Sequence, residues 1–145
     1  GRWLAAATQD RAVHLWRMGA DGHCEMSGFP EKVHAFAWGR NRLRLACAGG
    51  AHVAIWDCSG AGPEGRAPAM FAWHRAVVAA LDWHPQRHLL ASADADGWLA
   101  VWSPGERGPA TCWQAAAGLT CARWDDAGRL LAVGDRDGGL AVIRR

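Results

Sequence analysis

Apolar residues in this chain fall into short runs, each bounded by Gly, Asp or Pro, and the runs recur at intervals of roughly forty residues. One recurring segment pairs an Asp or Gly turn with an apolar run and, in three of its four copies, a closing tryptophan. It reads DRAVHLW at Asp10 to Trp16, GAHVAIW at Gly50 to Trp56, DGWLAVW at Asp96 to Trp102 and DGGLAVI at Asp137 to Ile143. A second marker keeps phase with it, because Trp38, Trp83 and Trp124 each precede a closing position by about twenty residues. Between the markers lie LRLACA (Leu43 to Ala48), HLLASA (His88 to Ala93) and RLLAVG (Arg129 to Gly134), each short enough for one strand. The opening segment GRWLAAATQD superposes on GRLLAVGDRD at Gly128 to Asp137, so the chain begins midway through a repeat. Four short strands per period predict an all-β chain of propeller blades rather than an ordinary single-core domain.

The third unit, WHRAVVAALDWHPQRHLLASADADGWLAVW at Trp73 to Trp102, resembles the WD-repeat β-propellers. That resemblance implies a buried hydrogen-bonded tetrad of His, Ser, Asp and Trp, which maps by position onto His74, Ser92, Asp96 and Trp102. An imidazole held between a carboxylate and a hydroxyl leaves few buried polar groups unpaired, so His74 is expected to be structural. The other units depart from the pattern. Phe29 and Ala115 replace the His, Gly50 replaces the turn Asp of the second unit, and Ile143 replaces the last closing Trp. The repeats are therefore diverged and expected to be held by apolar packing.

The resemblance divides the chain into an incomplete blade at 1–27, blades at 28–72 and 73–113, and an incomplete blade at 114–145. About three and a half four-stranded antiparallel blades fall short of the roughly four to eight that close a ring. The expectation is an open arc, a partial propeller cut from a longer chain, whose raw edges need the remaining blades or a second copy to cover them.

Composition changes this picture little. The 145 residues are half hydrophobic and 21% charged, with a formal charge of +2 that does not suggest nucleic-acid or membrane-surface binding. The alternating trio Arg40, Arg42 and Arg44 reads as the solvated side of a turn and strand. No apolar run approaches a transmembrane helix. Five cysteines without regular spacing do not describe a disulfide framework, which favours a reducing, cytoplasmic setting, and Cys47 and Cys121 fall where small buried thiols are common. Lys32 as the only lysine suggests GC-rich coding and a bacterial source.

Catalytic and metal motifs are not found. His23 and Cys24 adjoin without a CxxC or HxxxH spacing, and SADADG and VGDRDG lack the closing Glu of a calcium loop and read as hairpins. Asp82 and His84 could share a strand face as an acid–base pair, but a solvated strand end is the simpler reading. No cofactor, metal or catalytic residue is assigned. What remains is binding: in the resembling family, the loop entering the first strand and the turn between the second and third open on one rim, where partners dock. Here that rim holds Trp73, Arg75 and Trp98, of residue types enriched at interface hot spots. The implied function is a non-catalytic scaffold for a protein or peptide partner. The alternative is a propeller component of a metal-homeostasis or enzymatic system. The longer Gly- and Pro-containing stretch Cys58 to Met70 is expected to be a loop on the opposite rim.

Overall fold

A computed structural model describes residues 2–40 and 43–144, and Arg42 of the arginine trio lies outside them. Every regular element among these residues is a strand. They are β1 (Trp3–Ala7), β2 (Val13–Arg17), β3 (Gly22–Met26), β4 (Val33–Trp38), β5 (Arg44–Gly49), β6 (His52–Asp57), β7 (Ala69–Phe71), β8 (Val78–Trp83), β9 (Leu90–Asp94), β10 (Trp98–Trp102), β11 (Thr111–Gln114), β12 (Leu119–Trp124), β13 (Leu130–Asp135) and β14 (Leu140–Arg144). They form four antiparallel meanders: β1-β2-β3, β4-β5-β6-β7, β8-β9-β10-β11 and β12-β13-β14. The innermost strands β4, β8 and β12 lie side by side, so the sheets stand as radial blades in an open, unclosed arc.

The period-2 pattern explains which face each sheet buries. In β2, Val13 and Leu15 are buried while Trp16 is exposed, and in β12 Leu119, Ala122 and Trp124 are buried. Three apolar clusters result, one at each junction between neighbouring sheets. The largest joins Val53, Ile55 and Phe71 of the second sheet to Leu81, Trp83 and Trp102 of the third. The in-phase tryptophans close the inner strands and pack into the junction clusters, the Trp124 Nε1–H without an acceptor. Trp83 Nε1 donates to the carbonyl of Ala37 on the preceding sheet at 3.1 Å.

Each inner strand also ends in the same hairpin, recognisable by one backbone bond: Gly39 N–H to Arg44 O, His84 N–H to Leu89 O, and Asp125 N–H to Leu130 O, all between 2.8 and 2.9 Å. This register makes residues 39, 84 and 125 equivalent. His84 is buried, not solvated as the sequence suggested. Its Nδ1 accepts the N–H groups of Gln86 and Arg87, and its Nε2 donates to Gly128 O on the next sheet at 2.9 Å. Asp82, two residues earlier, accepts Trp124 N–H at 2.8 Å and Arg123 at 3.2 Å. Both side chains are thus spent on joining sheets three and four.

Cys121 corrects another expectation, for it is exposed while Cys47 is buried. A bulge between Leu119 and Cys121 shifts the alternation, and Cys121 faces the open cleft along the inner strands with Phe36 and Thr120. The stretch after Cys58 is the connection from β6 to β7. It packs back on the first sheet, with the Trp3 indole so close to Gly62 that a Cβ there would approach it to 2.8 Å.

Candidate functional site

Ser92 and Asp94 lie two apart on β9, so their side chains share the face that receives His74. All three are buried, as is Trp102 on β10. The resulting chain of donors runs one way. Trp102 Nε1–H donates to Ser92 Oγ at 2.7 Å, the Ser92 hydroxyl to His74 Nε2 at 2.6 Å, and His74 Nδ1–H to Asp94 Oδ2 at 2.7 Å. Every link is satisfied with a neutral imidazole. Burial lowers the His74 pKa, outweighing the hydrogen bond and charge of Asp94, which act to raise it.

The carboxylate of this relay is Asp94, and the assignment of Asp96 is corrected. Asp96 sits exposed on the hairpin, two residues past the strand end and outside the buried pocket of His74. Instead its backbone N–H donates to Asp94 Oδ1 at 3.0 Å, and that same oxygen accepts Trp98 N–H at 2.9 Å. Asp94 therefore clamps the turn with one oxygen and the imidazole with the other. Asp135 repeats half of this arrangement in the last sheet, its Oδ1 accepting Asp137 and Gly139 N–H, where Ala115 offers no imidazole. The second sheet has lost the relay altogether. Cys47 and Gly49 stand at the positions of Ser92 and Asp94, and the Trp56 Nε1–H is buried without an acceptor.

The clamp sets the position of the rim. Trp98 begins β10 beside the Asp94 turn, and its ring meets that of Trp73 edge to face at 5.6 Å. Trp73 also packs edge-on against Trp102 at 6.1 Å and against His74 at 5.2 Å, so it is partly a core residue. Both indoles remain half-exposed, and Arg75 between Trp73 and β8 is exposed. The structure brings Trp73 and Trp98 together and leaves Arg75 free to turn outward. Their opposite ends of the strands carry the 84–89 hairpin and the 58–68 connection.

Convergent ligand sets are not formed among the described residues: no group of three or more His, Cys, Asp or Glu could hold a metal ion. His23 and Cys24 are neighbours on β3 and so face opposite sides. His23 Nε2 meets His14 Nδ1 at 2.8 Å on the outer face, while Cys24 packs into the first junction. No described helix is long and apolar enough to cross a membrane.

Residues 66–103 match the family described as WD domain, G-beta repeat, which covers the blade containing the relay. Among solved structures, a chain in the crystal structure of the mitotic checkpoint complex superposes with a TM-score of 0.84 at 18% identity, over 99% of this chain and 46% of that chain. The protein thus spans less than half the length of that chain, and the likeness is one of fold. No curated protein matches it.

Proposed function

We propose, for a chain that carries a WD repeat within an open propeller arc, that it is a non-catalytic scaffold docking a protein or peptide through the rim formed by Trp73, Arg75 and Trp98. The observation that carries this reading is the edge-to-face pair Trp73–Trp98, half-exposed beside a free guanidinium and fixed from beneath by Asp94. A rigid aromatic pair offers contact area at small entropic cost, and Trp and Arg lead among residues whose truncation weakens interfaces. Propellers are reused for many tasks, so the site and not the fold bears the argument. The odd, irregularly spaced cysteines support a cytoplasmic setting.

A photo-crosslinking amino acid placed at Arg75 tests this in the full-length protein, with a second placed at Arg66 in the opposite connection. The expected result is a discrete partner adduct from position 75 that a Trp98→Ala change removes. Adducts from position 66 alone would move the interface to the other rim.

A further inference from the structure

On the rim away from Trp98, a cleft of about 320 Å³ opens between the second and third sheets, lined by Gly39, Arg40, Arg44, Trp83, Arg87 and His88 among others. Both sheets flanking it are complete, so a further blade would not fill it. Its origin lies in how this junction departs from the next one. At the junction of sheets three and four, His84 fills the space against Gly128, where an added Cβ would meet the imidazole at 2.3 Å. One junction earlier the register puts Gly39 in the place of His84 and Arg87 in the place of Gly128. The plug is lost and a cation enters.

Two more exchanges follow the same direction. Arg44 stands where the equivalent hairpins have Leu89 and Leu130, and Ala37 where the next sheet has Asp82, the carboxylate that elsewhere accepts Arg123. Among the described residues, the cleft lining holds three arginines and no Asp or Glu. Two carboxylates outside the lining act on these arginines, Asp126 by an ion pair with Arg40 and Asp57 through its charge near Arg44. Asp126 bonds Arg40 at 3.0 Å with both side chains largely exposed, an ion pair that contributes little and is easily exchanged. Asp57 is opposite Arg44 in register but is bonded to Arg66 at 3.4 Å. Arg44 is oriented by donating from NH1 to His88 Nε2 at 2.9 Å, and His88 lies stacked on Trp83 at 5.6 Å. A guanidinium has five donors, so this single bond leaves Arg44 able to serve another acceptor.

We propose that this cleft binds a phosphomonoester, presented by a phosphorylated serine or threonine of a partner protein. With three arginines in its described lining and only the exposed Asp126 and the Arg66-bonded Asp57 beside it, the cleft keeps an excess of positive charge, and a phosphoryl group brings about −1.5 to −2 with three acceptor oxygens, about twice what a carboxylate offers. The Trp83–His88 stack forms a firm wall beside it. This surface is separate from the Trp98 rim, and its test is independent of binding there.

The test is fluorescence anisotropy on the full chain with three pools of short labelled peptides of mixed flanks, centred on phosphoserine, serine or glutamate. The phosphoserine pool should bind at least about tenfold more tightly than either other pool and be displaced by inorganic phosphate. Arg87→Glu, at an exposed position that leaves folding intact, should weaken phosphoserine binding by about tenfold or more, and Arg75→Glu on the other rim should not. Equal binding of the serine pool, glutamate binding as tight as phosphoserine, or an Arg87→Glu protein that binds as the parent does would each overturn the proposal.

Discussion

Asp94 and Asp96 are two residues apart, both acidic and both in the segment that closes the β9–β10 hairpin, yet they should differ sharply on truncation. Asp94→Ala removes the acceptor for His74 Nδ1–H and for the backbone N–H groups of Asp96 and Trp98. The His74 and Asp94 side chains are wholly buried, so the imidazole N–H is left unpaired in a dry site at a cost of about 1 to 3 kcal/mol. The two turn N–H groups are only part-buried and can be rehydrated, adding less. We expect a total near 3 kcal/mol, which in a chain of this size lowers Tm by about 6 to 12 °C. Asp96→Ala exposes nothing and should stay within about 0.5 kcal/mol of the parent. Urea unfolding followed by tryptophan fluorescence measures both. If the two variants lose equal stability, or Asp96→Ala loses more, the relay is wrongly drawn.

Other consequences can be checked separately. Because the folded His74 pKa is depressed below 6.5, the unfolded chain binds the extra proton first as pH falls; the contribution is complete above about 6.5 and is lost as pH drops through the folded value, so stability should fall as pH is lowered past about 6.5, and less steeply in His74→Gln. Cys112 and Cys121 are exposed and should react quickly with a thiol reagent. Cys47 and Cys58 are buried, their thiol pKa values raised mainly by desolvation, that of Cys58 to about 11, and should react only on unfolding. Gly128→Ala places a methyl within 2.3 Å of the His84 ring at a φ of +67°, and should cost more than about 1 kcal/mol in the same urea assay. A smaller loss would mean that the His84 plug is loose.

The blade architecture was legible because its signal is repeated: Trp38, Trp83 and Trp124 each close an inner strand, and no single substitution could hide three in-phase markers. The carboxylate of the relay was misread because position alone favoured the residue beside the Gly turn. Strand parity with Ser92 would have chosen Asp94, since only residues two apart share a face. Cys121 escaped the alternation because a bulge moves it, and bulges leave no mark in a hydrophobic pattern. The cationic cleft was missed for a different reason. Arg40 and Arg44 look like solvated charges when the hairpin is taken alone, and gain meaning only when Gly39 and Arg87 are set beside His84 and Gly128 at the next junction. That Trp73 and Trp98 share one rim was expected from the loop positions, but their edge-to-face contact and Trp73's contact with Trp102 depend on packing across the turn and were not.

The central claim is that the relay in the third sheet holds a protein-binding rim. Its most direct test is the affinity of the partner crosslinked at Arg75 for the full-length parent, for Trp98→Ala and for a variant altered within the Gly62–Arg66 connection. Trp98→Ala, folded by the urea criterion, should weaken binding by about 2 kcal/mol or more, near thirtyfold in Kd, with the connection variant unchanged. Unaltered affinity in Trp98→Ala would contradict the claim.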